Sequence, residues 1–153
     1  MKTIIIGIGS LLRGDDAVGI WIAEAIEREA LPPDVKVVTT TAAGLALLDL
    51  LTGHDRALII DAIQTRHGKP GDIYRLGLED IPAPLRSFTV HDVSLRSALD
   101  TGQKMGLPLP AETVIFAVEV ADVTPLRESC TPEVEEAIPE AVSLVLGELA
   151  RGG

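Results

Sequence analysis

Residues 3–9 read TIIIGIG, and this stretch decides the fold because it is apolar at every position before it ends in glycine. A continuous apolar run of this length is typical of a strand that is buried on both faces, as in a parallel sheet. Apolar side chains then recur at helical spacing from Val18 to about Ala30, and Asp15 or Asp16 is placed to cap that helix. A buried strand followed by a helix is the first half of a βαβ unit, which indicates an α/β protein.

The same alternation of strands and helices continues to the end of the chain. Parallel strands joined by right-handed crossovers leave helices on both faces of the sheet. We therefore predict one domain over residues 1–153, an α/β three-layer sandwich with a twisted, mostly parallel sheet whose central strand order is 2-1-3. The predicted later strands are Val35–Thr40, Ala57–Ile60, an edge strand Asp72–Leu76 and Thr113–Val120, and the predicted later helices are Ala43–Leu51, Val93–Met105 and one that begins at Thr131-Pro132.

The composition indicates a chain with a sizeable core and argues against several classes of partner. The chain has 153 residues, of which 46% are hydrophobic, and about two-thirds of its surface can be buried at this size. Its 13 basic and 23 acidic residues give a net charge of −10, which argues against binding to nucleic acid or to an anionic membrane. The chain lacks an apolar stretch of about 20 residues, and its N-terminus does not fit a signal peptide. We therefore expect a soluble cytoplasmic protein.

The glycines after the first strand raise the question of a nucleotide cofactor. A dinucleotide fingerprint needs a third glycine at position 12, where this chain has Leu12. Asp15 and Asp16 would also stand where a pyrophosphate meets the helix N-terminus, and like charges repel each other there. The chain has no Walker sequence. We therefore expect no nucleotide.

Three residues are instead candidates for a metal-contacting site: Asp16, Asp61 and His91. In a sheet of order 2-1-3 the first and third strands are neighbours, and ligands bind at the crevice outside their carboxyl ends. Asp16 lies in the first loop, Asp61 at the end of the third strand, and His91 before the fourth helix. Two carboxylates and one imidazole suit a borderline metal ion with open coordination positions. A helix cap, a turn residue and a backbone contact are the structural alternatives, and we expect the site to face solvent.

Two nucleophiles compete with this hypothesis. Ser10 could form a triad with His91 and Asp61, but the G-x-S-x-G elbow around a nucleophilic serine is absent. Cys130 precedes a helix N-terminus, which favours a thiolate, but acidic residues on both sides oppose it. We interpret both residues as structural because neither has a base beside it in the sequence. A single cysteine also excludes a disulfide framework.

Five segments of this chain, in the same order, resemble the nickel-iron hydrogenase maturation endopeptidases. The first is the most specific, because its glycines and paired aspartates occur together at fixed spacing. The segments are GIGSLLRGDDAVG at 7–19, AAG at 42–44, IIDA at 59–62, VHD at 90–92 and CTPEV at 130–134.

The resemblance implies a phosphorylase/hydrolase-like fold and a defined reaction. Family members remove a C-terminal extension from the large-subunit precursor of a nickel-iron hydrogenase after nickel has been inserted. The metal-contacting positions of the family correspond to Asp16, Asp61 and His91, which would read nickel carried by the substrate and take part in an aspartic-type or metal-assisted cleavage. The alternative is a non-catalytic chaperone that binds nickel or the large subunit through the same three residues.

Overall fold

The computed structural model describes residues 1–9, 17–41, 46–65, 67–80, 98–120 and 130–152. Its strands are β1 (Thr3–Ile8), β2 (Val35–Thr40), β3 (Arg56–Ile63), β4 (Ile73–Gly77) and β5 (Glu112–Glu119). Its helices are α1 (Val18–Glu27), α2 (Ala46–Leu51), α3 (residues 98–104) and α4 (Pro132–Gly152), and a short 3-10 turn (Leu78–Asp80) follows β4.

The five strands form one sheet in the order β2-β1-β3-β5-β4. The first four of these strands are parallel, and β4 runs antiparallel to β5 at the edge. Ile5 of β1 pairs with Val37 on one side and with Leu58 on the other. The predicted central order 2-1-3 and the predicted edge strand are therefore confirmed. We call the end of the sheet where the parallel strands begin the amino edge, and the opposite end the carboxyl edge.

Helices cover both faces of this sheet, which confirms the three-layer sandwich. The isoleucines of β1 alternate between the faces, because successive side chains of a strand point to opposite sides. Ile5 packs with α1 and α4 on one face, whereas Ile4, Ile6 and Ile8 pack with α2 on the other, where Leu99 of α3 also lies. In the part of the chain that the structure describes, no helix is both long and apolar enough to cross a membrane.

The first helix differs from the prediction at its beginning. The N-cap of α1 is Ala17, whose side chain makes no capping hydrogen bond, so neither Asp15 nor Asp16 holds the cap position. Ala17 is completely buried. The N-cap residue of α1 therefore contributes to the core rather than a capping side chain.

The third strand is longer than predicted. We expected it to end at Ile60 because an aspartate after an apolar run is typical of a turn. Instead β3 continues to Ile63, since Asp61, Ala62 and Ile63 pair in register with β5. This long-range pairing with a strand about fifty residues later overrides the local signal.

Candidate functional site

Asp61 lies inside the sheet, near the carboxyl edge, and its side chain is completely buried. Its neighbour on one side is Ala117 of β5, whereas the pairing of β1 with β3 ends one residue earlier, at Gly7 and Ile60. Asp61 thus stands where β1 separates from β3, which is the position that the switch-point argument requires. The expectations that it ends the strand and faces solvent are both wrong, because β3 runs on beside β5.

The carboxylate of Asp61 points to the face that α2 and α3 cover. Ile59 and Ile63, its neighbours two residues away, belong to the apolar cluster on that face. Its Oδ1 accepts a hydrogen bond of 2.8 Å from the backbone N–H of Ala62. A buried acidic side chain is rare without such polar partners, and its burial costs stability.

Both described ends of the first loop lie at the same edge as Asp61. The N–H of Gly9 donates to the carbonyl of Thr40 at 3.1 Å, which fixes the end of β1. A Cβ at Gly19 would overlap the carbonyl oxygens of Ile8 and Ile60. The first turn of α1 therefore packs directly on the carboxyl ends of β1 and β3, one residue before Asp61.

Gly7 and Gly19 allow this close approach. A Cβ at Gly7 would overlap both the carbonyl of Gly19 and the Cβ of Ala23. Close packing of a strand against a helix at this glycine pair explains part of the motif at residues 7–19. Sequence reasoning considered Gly7 for phosphate binding and missed the packing role of both Gly7 and Gly19.

The other two predicted metal-contacting residues, Asp16 and His91, lie outside the described residues, as does Ser10. Within residues 1–9, 17–41, 46–65, 67–80, 98–120 and 130–152, no three histidine, cysteine, aspartate or glutamate side chains are grouped so that they could hold a metal ion. The three-residue site therefore stays a prediction, of which the structure describes one member.

Cys130 belongs to the core. Its side chain is buried in the apolar cluster between the sheet and α4, together with Val120 and Val134. An apolar environment disfavours a thiolate. Its burial agrees with the interpretation of Cys130 as a structural residue.

A second buried acid at the carboxyl edge was missed by the sequence reasoning. Glu119 ends β5, pairs with Ile63 and is 2% exposed. Its carboxylate accepts hydrogen bonds from the N–H of Thr65 (2.7 Å), the hydroxyl of Thr65 (2.5 Å) and the hydroxyl of Tyr74 (3.0 Å). Burial raises the pKa of Tyr74, and the nearby Glu119 carboxylate adds to this effect. An acid at the end of an apolar strand, the signal that singled out Asp61, was also present here.

A cavity of about 690 Å³ opens at the amino edge, far from Asp61 along β3. Its lining is mostly apolar, and the Arg56 side chain within it already pairs with Glu148. Because ligands of open α/β sheets bind outside the carboxyl ends of the strands, we assign the functional site to Asp61 rather than to this cavity. The lining residues are Met1, Thr3, Ala30, Leu31, Pro32, Asp34, Val35, Arg56, Leu146, Leu149 and Ala150.

Comparisons with known proteins agree with this fold. The family model of the hydrogenase maturation proteases matches residues 20–148. The hydrogenase 2 maturation protease of Escherichia coli is 30% identical over 155 residues, covering 100% of this chain and 93% of that protein. The solved structure of the hydrogenase maturating endopeptidase HybD from E. coli has a TM-score of 0.89 at 30% identity, and the match covers 100% of this chain and 94% of that one.

A more distant structure shares the fold. The nickel-iron hydrogenase maturation protease HybD from Thermococcus kodakarensis has a TM-score of 0.73 at 22% identity, covering 96% of this chain and 98% of that one. The family model spans most of the chain, and the E. coli relative matches it from end to end, so the non-catalytic alternative is not favoured. The chain therefore belongs to the hydrogenase maturation protease family, and it is an endopeptidase.

Proposed function

We propose that this endopeptidase removes the C-terminal extension of the large-subunit precursor of a nickel-iron hydrogenase, in the cytoplasm and after nickel insertion. The observation that carries the proposal is Asp61, a completely buried carboxylate at the point where β1 and β3 separate. In this proposal Asp16 and His91 join Asp61 in contacting nickel that the precursor brings with it. Nickel is thus part of the substrate rather than a resident cofactor.

Chain connectivity supports the participation of Asp16. Asp16 directly precedes Ala17 in the sequence, so their Cα atoms are about 3.8 Å apart. Ala17 is buried, and two residues later Gly19 packs against the carbonyl of Ile60, next to Asp61. The first turn of α1, which follows the first loop in the sequence, therefore packs against the backbone next to Asp61.

The participation of His91 rests on the resemblance, because the described part of α3 does not place this residue. After α3 the chain runs along the amino edge, where the N–H of Ala111 donates to the carbonyl of Asp55 and that of Gly53 to Pro108. Residue 98 is six residues before the end of α3, hence about 9 Å from it along the helix axis. The described part of α3 therefore reaches back about 9 Å from the amino edge, and the position of His91 stays a prediction.

The chemistry of the donor set fits this substrate. Carboxylate and imidazole ligands can complete the coordination of a nickel ion that the precursor already holds, without the soft thiolates needed to remove it. The metal can polarise a carbonyl, and Asp16 or Asp61 can act as the general base that activates water. The buried carboxylate of Asp61 is shielded from bulk water, which strengthens electrostatic interactions within the site.

The decisive experiment mixes the protein with purified large-subunit precursor, nickel-loaded or nickel-free, and measures the mass of the product. We expect a shortened product only from the nickel-loaded precursor. Equal cleavage of both precursors would show that the protein does not recognise nickel. Binding of the precursor without any shortening would support the non-catalytic chaperone.

Substitution of the predicted residues tests their roles. We expect Asp61→Asn and His91→Ala each to lower the cleavage rate at least about 100-fold, since a general base or a metal contact is lost. Asp16→Glu should retain activity, because a rotamer change can absorb one methylene. Cys130→Ser should also cleave normally, and loss of cleavage in that variant with full cleavage in His91→Ala would favour a cysteine nucleophile.

Asp55→Asn is the matched control for Asp61→Asn. Asp55 directly precedes β3 at the amino edge, is exposed, and accepts a hydrogen bond from the N–H of Lys2 at 2.7 Å. The same chemical change at the two ends of one strand should abolish cleavage at Asp61 only. Equal rates in the two variants would contradict the assignment of Asp61.

A further inference from the structure

The buried carboxylate of Glu119 fastens the segment that leaves β3. Its two oxygens receive the N–H and hydroxyl of Thr65 and the hydroxyl of Tyr74, at 2.5–3.0 Å. Thr65 follows the end of β3 by two residues, and Tyr74 lies on the edge strand β4. One side chain of β5 therefore holds both of its neighbouring strands at the carboxyl edge. We call Glu119, Thr65 and Tyr74 the Glu119 cluster.

The backbone at Gly68 packs closely against the Glu119 cluster. The N–H of Gly68 donates to the hydroxyl of Thr65 at 2.8 Å. A Cβ at Gly68 would overlap the Glu119 carboxylate and both hydroxyls of the cluster. A side chain at position 68 would therefore have to displace the hydrogen-bonded groups of the Glu119 cluster.

Backbone hydrogen bonds fasten the same segment to the end of β5. Glu119 donates its N–H to the carbonyl of Asp72 at 2.7 Å and accepts at its own carbonyl from the N–H of Gly71 at 2.8 Å. Val120 donates to the carbonyl of Ile63 at 2.9 Å. Main chain and side chain of Glu119 therefore hold one loop at both its ends.

The Glu119 cluster adjoins Asp61. Glu119 pairs with Ile63, two residues beyond Asp61, and Tyr74 and Asp61 pair with the same residue, Ala117. Side chains two apart on one strand share a face, so Glu119 and Asp61 lie on the face covered by α2 and α3. Diagonal neighbours of this kind are about 7–8 Å apart.

We propose that Glu119 is a positioning residue for the cleavage reaction. Through Thr65 and Tyr74 it fixes residues 62–65, which follow Asp61, and thereby the orientation of the Asp61 carboxylate. This inference rests on the proposed function, in which Asp61 acts on the precursor. Glu119 does not touch the substrate, since it is buried and its oxygens are occupied by the cluster. Its loss should therefore lower kcat and leave KM unchanged.

The test compares kcat and KM of Thr65→Val and Thr65→Ser with the nickel-loaded precursor. Valine removes the hydroxyl that donates to Glu119 and accepts from Gly68, whereas serine keeps it. We expect kcat to fall at least tenfold in Thr65→Val and to return to within twofold of wild type in Thr65→Ser, with KM within twofold in both. Glu119→Gln should act in the same direction as Thr65→Val.

Melting curves distinguish a loss of stability from a loss of catalysis, and the wild-type rate tests the proposed function itself. All variants are assayed at a temperature where each is folded, so a loss of stability alone leaves kcat unchanged. An unchanged kcat in both Thr65→Val and Glu119→Gln, or an effect on KM alone, would overturn the role of Glu119 while wild-type cleavage still supported the proposed function. Absence of cleavage by the wild-type protein would overturn the proposed function itself.

Discussion

Glu148, on α4, lies between two arginines, whereas Glu119, at the carboxyl edge, is held in the described part of the chain by neutral donors. Arg56, at the start of β3, donates to the Glu148 carboxylate at 2.9 Å and to its backbone carbonyl at 2.7 Å. Arg75 of β4 binds the same carboxylate in bidentate fashion, at 2.6 and 3.0 Å. Among the residues described, no lysine or arginine forms an ion pair with Glu119.

This difference sets the structural role of the buried acid Glu148 against the functional role that we propose for Glu119. Two arginines neutralise Glu148, so the cluster fastens α4 to the sheet without leaving net negative charge. Glu119, beside Asp61, is held among the residues described by hydroxyl and N–H donors instead. The role that we propose for Glu119 thus assigns its cluster of neutral donors to the reaction, whereas the ion pairs of Glu148 serve stability.

The largest expected effect comes from removing the acid that the two arginines share. Glu148→Ala leaves the guanidinium of Arg56, which is 1% exposed, buried without its carboxylate. Breaking a buried ion pair from one side costs about 3–5 kcal/mol. In a chain of this length we expect a fall in Tm of about 6–20 °C, measured by calorimetry or circular dichroism.

Glu148→Ala also tests whether the role of Glu148 is limited to stability. Below its Tm, Glu148→Ala should cleave the nickel-loaded precursor with wild-type kcat, because Glu148 and its partners Arg56 and Arg75 lie away from Asp61. A tenfold fall in kcat of the folded variant would mean that Glu148 serves the reaction as well as stability. Glu148→Gln, which keeps an acceptor for the arginines, should lose less stability than Glu148→Ala.

A smaller effect, on both stability and cleavage, is expected at Gly19. A Cβ there would overlap two backbone carbonyls, so Gly19→Ala must push the start of α1 away from the sheet. Overpacking of this kind costs about 1–3 kcal/mol. Since α1 begins beside Asp61, we also expect kcat to fall at least tenfold in the folded variant, measured with the same precursor.

Gly147 provides the matched control. It lies in the interior of α4, and a Cβ there would meet nothing within 4 Å. Gly147→Ala should therefore raise stability by up to about 1 kcal/mol, through helix propensity, and leave cleavage unchanged. Equal behaviour of the two alanine variants would show that the contact between α1 and the carboxyl edge is unimportant.

Local pattern was sufficient for most of the fold. The apolar run at residues 3–9 and the later β-branched run at Val35–Thr40 predicted neighbouring parallel strands, and the structure confirms them. The pattern failed where pairing is decided far along the chain. Asp61 looked like a turn residue until its register with Ala117 of β5 was known.

The site was less accessible to sequence reasoning, and for a similar reason. Asp61 was singled out because it follows an apolar run, but its complete burial follows from the length of β5. Glu119 carried the same signal, yet its partners Thr65 and Tyr74 are 54 and 45 residues away and meet it only through the sheet. Asp16 and His91 remain predictions that rest on the resemblance and on chain connectivity.

The smallest expected effect concerns stability in acid. The hydrogen bond from Arg75 lowers the pKa of Glu148 below its ordinary value of 4.5; the charges of Arg75 and Arg56 add to this effect, and burial opposes it. A carboxyl group whose pKa is lower in the folded state stabilises the fold above its unfolded value, and this contribution is lost as the pH falls through the folded value. The Tm of the wild-type protein should therefore drop on acidification below about pH 4.5 in part because Glu148 becomes protonated.

Arg75→Gln removes the largest cause of that lowered pKa and so isolates this contribution. We expect the Tm of the variant to lie slightly below that of wild type at pH 7. This difference in Tm should shrink as the pH falls below 4.5, since a protonated Glu148 is stabilised little by arginine or by glutamine at position 75. Lys104→Gln, which removes an exposed cation on α3, controls for the change in net charge and should not reproduce this convergence. A difference in Tm between wild type and Arg75→Gln that stays constant from pH 7 to pH 3 would show that Arg75 holds α4 through packing of its half-exposed side chain rather than through the charge of Glu148.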